Sequence, residues 1–189
     1  MNNLTLRPAT GRDAEFVLDL SIMAAHGFLE RFFENYLSDG DDLRALMLSR
    51  VNTVDSNMSW TKCWIAESDG QRAGMITLVE IPELADPLDE DLPSMFHPLA
   101  ELEAMLPGGT IIEFVSTLPK FRGRGIATAL LQHAHDKRSR GGLGLIVSNN
   151  NTSARKVYET TGFSEVARRP IVHDGWTSSG TEWILMTRP

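Results

Sequence analysis

Residues 111–125 read IIEFVSTLPKFRGRG, and this stretch decides the fold. An apolar run with strand character meets a proline at Pro119, passes through an arginine and glycine loop, and opens the run GIATALLQHAHDKRSR that begins at Gly125. In that run Ile126, Leu130 and Ala134 recur on one helical face, with Ala127 and Leu131 beside them, while Gln132, His133, Asp136 and Lys137 can face water. Strand, glycine loop and helix together make an anion cradle. Gly123 and Gly125 lack side chains, so a ligand can approach the backbone closely, and the first-turn N–H groups of the helix point outward at the positive end of its dipole. Arg122 and Arg124 add fixed positive charge. A phosphate-bearing ligand follows.

Two familiar phosphate motifs fail on these residues. A dinucleotide fingerprint needs Gly or Ala where Thr128 stands, and an acid about twenty residues later, where the chain reads GGLGLIVS. A nucleotide-triphosphate loop needs Gly-Lys-Ser/Thr where the chain has Gly125-Ile126-Ala127. The pattern Arg122-x-x-Gly125-x-Ala127 instead resembles the acyl-CoA pyrophosphate loop of the GNAT superfamily of N-acetyltransferases, Gln/Arg-x-x-Gly-x-Gly/Ala. Residues 151–163, NTSARKVYETTGF, resemble that family's second signature, through Asn151, Ala154, Tyr158, Gly162 and Phe163. Each has its own physical reading. Asn151 suits a helix N-cap, Ala154 and Tyr158 share one face, and Gly162 suits the C-terminal end.

The resemblance implies an α/β fold: a mixed, mostly antiparallel central sheet with helices on both faces. Its fourth and fifth strands splay apart, and the pantetheine arm of the cofactor lies in the opening. It implies acetyl-CoA as acyl donor, held by Val115, Ser116, Thr117, Arg122, Gly123, Arg124, Gly125, Ile126, Ala127, Asn151, Ala154 and Tyr158. A primary amine would attack the thioester directly in a ternary complex. Such an amine must first lose a proton, and Glu113, which interrupts the apolar run, is the candidate base; alternation puts it on one strand face with Val115 and Thr117. In the family a backbone N–H at the end of this strand, here of Val115 or Ser116, steadies the oxyanion. Tyr158 occupies the place of the general acid that serves the leaving thiolate.

Composition bounds the partners. A chain of 189 residues with 42% hydrophobic residues suits a single domain spanning 1–189. Its net charge of −7 argues against general nucleic-acid binding, including a reading of RGRG as an RNA patch. The N-terminus, MNNLTLRPATGRDAE, has no basic and apolar leader pattern, and no apolar run is long enough to span a bilayer, so a cytoplasmic, membrane-free protein is expected. The single cysteine, Cys63, sits in the apolar stretch CWIAE and reads as a buried structural thiol. His133 and His135, two apart on a helix, diverge by about 200° and cannot form one ligand face; no metal is expected.

The remaining organisation is a first strand LTLRP, helical stretches from Gly11, in GFLERFFENYL and in DDLRALMLSRV, and a hairpin of KCWIAES and AGMITLVEI about Asp69-Gly70. Phe28, Phe32, Phe33 and Tyr36 read chiefly as core. Residues 81–109 form an acidic, proline-containing insertion without lysine or arginine, expected as surface loop with a short helix in HPLAELEAML. Its Glu83, Asp86, Asp89, Glu90 and Asp91 form a solvated run, or else a negative field for a cationic amine. A strand LGLIVS and two closing strands complete the order. The acceptor stays open between a small-molecule amine and a protein N-terminus or lysine, and a non-catalytic acyl-CoA-binding module is the rival class. Dimers are common in the resembling family, which makes a homodimer compatible.

Overall fold

Asp69 and Gly70 both take positive φ, 52° and 76°, the left-handed pair that a two-residue hairpin turn requires to match strand twist. That turn aligns β2 (Cys63–Ser68) antiparallel with β3 (Gln71–Glu80). The computed structural model describes residues 3–84 and 92–189. Asp86, Asp89, Glu90 and Asp91 of the acidic run lie outside the described residues.

β1 (Leu4–Pro8) pairs antiparallel with β2, from Leu4 opposite Ser68 to Pro8 opposite Trp64. β4 (Thr110–Thr117) runs parallel to β5 (Leu143–Ser148), with Thr110 to Ile112 opposite Leu143 to Leu145. β7 (Glu182–Arg188) is antiparallel both to β5 and to β6 (Ser164–Pro170). The sheet has seven strands in the order β1-β2-β3-β4-β5-β7-β6, mixed and mostly antiparallel, as the resemblance implies. The helices are α1 (Ala14–Ala25), α2 (Phe28–Glu34), α3 (Leu43–Val51), α4 (His97–Glu103), α5 (Ile126–Lys137) and α6 (Thr152–Thr160). No helix among the described residues is long and apolar enough to cross a membrane.

The chain forms two compact units, one of Met1–Leu78 with Glu113–Leu131, the other of Val79–Ile112 with Gln132–Pro189. In the first unit Val17, Leu18 and Leu20 of α1, Leu29 and Phe33 of α2, and Met47 and Val51 of α3 close on Ile65, Met75 and Phe114. The aromatic set of α2 divides. Phe28 and Phe33 are buried, but Tyr36 is 56% exposed, its ring meeting that of Phe32 edge-on at 5.1 Å. Asp42 caps α3, its carboxylate accepting the Arg44 and Ala45 N–H groups at 2.8 and 3.4 Å. In the second unit α4 starts with Pro98 in its first turn and buries Leu102, the short helix expected within the insertion.

Before α1 the structure turns once as a 3₁₀ helix, Gly11–Asp13, and this turn carries the first unit's buried ion pair. Asp13, 3% exposed, accepts both Arg7 guanidinium nitrogens at 2.8 and 3.0 Å and the Thr10 N–H and hydroxyl at 2.9 Å. Arg7 reaches on to Glu67 at 2.8 Å. The Arg7 hydrogen bonds hold the Asp13 carboxyl well below the usual carboxylate range.

Because its folded pKa is depressed, Asp13 contributes stability that is present above about pH 4, where the unfolded carboxyl ionises, and is lost as pH falls. Asp13→Asn leaves Arg7 short of its main partner and should cost about 3 kcal/mol near neutrality. Urea unfolding from pH 6 to pH 2.5 checks this: the gap between parent and variant should narrow below about pH 4.

Candidate functional site

In the first unit the predicted cradle is a continuous run of backbone. Phe114 enters the core, so alternation turns Glu113, Val115 and Thr117 to the other face of β4. Glu113, Val115 and Ser116 are half-buried. The Thr117 hydroxyl oxygen is withdrawn from solvent and has no hydrogen-bond partner. The strand's end is tied down by the Leu118 N–H, which donates to the Ala73 carbonyl at 2.9 Å. A short turn, Pro119–Phe121, buries Phe121 and reverses the chain.

The loop then opens toward solvent. Arg122 donates through Nε to the Thr117 carbonyl at 3.3 Å, bracing the loop against the strand it leaves. Arg124 lies over the Phe121 ring, 5.3 Å from its centroid. Gly123 and Gly125 take φ of 73° and 78°, and nothing lies within 4 Å of where a Cβ would stand on either. The glycines therefore serve the backbone's left-handed turn, and the space above them is clear. The Gly125 carbonyl accepts the Ala129 N–H at 3.0 Å, so the helix begins there and the N–H groups of its first turn have no partner within it. Ile126 is buried and Ala127 half-buried, anchoring that turn from beneath.

These features fit a pyrophosphate-bearing acyl carrier. Free N–H groups at a helix N-terminus, clear space and flanking guanidinium groups are what such an anion needs. The orphaned Thr117 hydroxyl fits a polar ligand lying along β4.

In the second unit the Asn151 to Phe163 motif resolves into two caps on one short helix. The Asn151 side chain accepts the Ala154 N–H at 3.3 Å, starting α6. At the other end Gly162, with φ of 94°, donates to the Glu159 carbonyl at 3.1 Å, while the Phe163 N–H donates to the Tyr158 carbonyl at 3.0 Å. This pair of bonds is a Schellman motif, and its usual apolar contact is present as the Tyr158 and Phe163 rings at 6.0 Å. Phe163 is 3% exposed and grips both the backbone and the ring of Tyr158. Burial pushes the Tyr158 hydroxyl up to about 12, so it stays protonated through the physiological range.

Glu103, at the end of α4, was not singled out by any motif. Burial pushes its carboxyl up to about 7, where a proton acceptor is most effective. Only its place after Leu102 on an apolar helix face hinted at this. Among the described residues no group of three His, Cys, Asp or Glu stands close enough to hold a metal ion.

The model of the acetyltransferase (GNAT) family matches residues 24–163, and the chain belongs to that family. Streptothricin acetyltransferase from Streptomyces lavendulae is 33% identical over 81 residues, which is 41% of this chain and 43% of that protein; the match thus spans less than half of the curated relative. Among solved structures, an N-acetyltransferase from Staphylococcus aureus Mu50 aligns over 97% of this chain and 99% of its own, with a TM-score of 0.66 at 17% identity. A further acetyltransferase crystal structure aligns over 97% and 98%, with a TM-score of 0.65 at 20% identity. At those identities the likeness is one of fold.

Two variants probe these local readings. Gly125→Ala meets no neighbour but must hold a left-handed φ, so it should cost about 1–2 kcal/mol of stability and weaken acetyl-CoA binding, read by thermal melting and calorimetry. The raised Glu103 carboxyl supports folding fully only below about pH 4 and costs stability as pH rises through 7. Glu103→Gln should therefore raise Tm at pH 8 and leave it unchanged near pH 4.

Proposed function

We propose that this chain transfers an acetyl group from acetyl-CoA to a primary amine of a cationic small molecule, by direct attack within a ternary complex. The observation that carries the reading is the cradle: a helix whose first N–H groups are unused, entered through two left-handed glycines with clear space above them. In this reading Arg122, Gly123, Arg124, Gly125, Ile126 and Ala127 receive the pyrophosphate, while Val115, Ser116 and Thr117 receive the pantetheine arm. Asn151 and Ala154 contribute from α6, chiefly by setting where that helix starts.

The residues divide the chemistry between them. Glu113 takes the proton of the incoming ammonium, directly or through water, since only the neutral amine has a lone pair to donate. The N–H of Val115 or Ser116 steadies the oxyanion that forms as the amine adds. Tyr158 is assigned to the departing sulfur from its place in the second motif. A phenol near 12 does not fully yield its proton to a thiolate whose conjugate acid lies at about 8.5. Its part is to donate a hydrogen bond that stabilises the thiolate, with solvent completing the protonation.

A cationic small-molecule acceptor is supported by the streptothricin acetyltransferase likeness and by the acidic insertion, in which Glu83 is exposed. The rival reading is a module that binds acyl-CoA without turnover. Free-thiol release from acetyl-CoA, measured with streptothricin, aliphatic diamines and a lysine peptide, separates the two. Release with a small cation is expected; release only with the peptide would redirect the acceptor to protein, and binding with no release on any amine would favour the module. Tyr158→Phe should lower kcat by about tenfold to a hundredfold while acetyl-CoA affinity holds. Unchanged turnover would remove Tyr158 from the mechanism.

A further inference from the structure

Beside the cradle, in the same unit, an open cleft of about 820 Å³ is lined by Arg7, Thr10, Arg12, Asp13, Phe16, Glu67, Gly70, Gln71, Arg72, Leu118 and Lys120. Four cations face two carboxylates there, although the chain as a whole carries −7. The two carboxylates are already committed. Asp13 and Glu67 are bound by Arg7, and Asp13 also by Thr10.

Of the other three cations, Arg12 and Lys120 have no carboxylate partner among the described residues, and Arg72 has one at 3.4 Å. Arg72 lies over the Phe16 ring at 4.9 Å and reaches Asp13 only at 3.4 Å. Lys120 contacts Gln71 at 3.4 Å and sits 4.8 Å from the Phe121 centroid. Arg12 is exposed and makes no ion pair among the described residues. Phe121 also carries Arg124 of the cradle at 5.3 Å, so one buried ring supports a cation of each site and positive charge runs unbroken between them.

We propose that this cleft is a second anion site and that it takes a phosphate monoester. Such a group carries about two negative charges at neutral pH, which matches the excess of cations, and the guanidinium forks of Arg12 and Arg72 suit its oxygens. The phosphate has two sources: the 3′-phosphate of CoA seated in the cradle, which rests on the acetyl-CoA reading, or a separate phosphorylated small molecule, which does not.

The test is calorimetry at low ionic strength, where such contacts are least screened, on the parent and on the Arg12→Gln/Lys120→Gln double variant, with melting curves to confirm folding. If the source is the cofactor, the parent binds CoA about tenfold or more tightly than 3′-dephospho-CoA, and the double variant abolishes that preference. If the source is separate, the parent shows no such preference, yet binds inorganic phosphate when saturated with dephospho-CoA, and the double variant does not. Equal binding of the two cofactors together with no variant-sensitive phosphate binding overturns the cleft. Failure of the parent to bind either cofactor counts against the acetyl-CoA reading instead, and the phosphate arm run on the protein alone then decides the cleft.

Discussion

The site in the first unit depends on one backbone constraint: the chain must leave β4 and enter α5 through two left-handed residues without covering the start of the helix. Most side chains resist φ near 75°, so glycine at positions 123 and 125 is the economical solution. Once that path is set, several features follow together. The helix starts at Gly125 with its N–H groups outward, Ile126 falls into the core, and Arg122 turns back to brace the carbonyl of Thr117. The end of a strand and the start of a helix are thus joined by a glycine turn, with the Arg122 side chain as its brace.

The second unit solves a related problem with opposite means. There Tyr158 stands on a helix that buries none of its residues fully. The Gly162 turn returns the chain so that Phe163 engages the carbonyl and ring of the tyrosine at once. Glycine and phenylalanine at the end of the motif are therefore the clamp for Tyr158, which precedes Gly162 by four positions and Phe163 by five. Such a clamp holds a phenol through its backbone and ring rather than through its hydroxyl.

Much of this was legible in the sequence because it is local. The glycine spacing, the Asn151 cap, the Asp69-Gly70 turn and Pro98 at the start of α4 each depend on neighbours within one turn or hairpin. What was not legible depends on elements distant in the chain. Arg7 and Asp13 are only six residues apart, but Glu67 from β2, distant in the chain, also holds Arg7, and the composition around Glu103 does not reveal how deeply its carboxyl is covered. The exposure of Tyr36 escaped for the same reason: its spacing matched Phe32 and Phe33, but helical period does not tell where the covering layer ends. Trp176 and Trp183, stacked at 5.6 Å and nearly parallel, come together only because the β6 to β7 connection folds back.

Cys63 has a practical corollary. Its thiol is buried on β2, bonded to the Ser59 carbonyl at 3.3 Å and the Thr77 hydroxyl at 3.1 Å, and pushed up to about 11. At neutral pH almost none of it is thiolate, and what little forms is shielded from reagents. The folded protein is therefore optically silent toward thiol-specific dyes. Colour that develops in an assay mixture reports the coenzyme alone, whereas slow extra colour reports molecules that have unfolded, so one cuvette follows both turnover and loss of the native state.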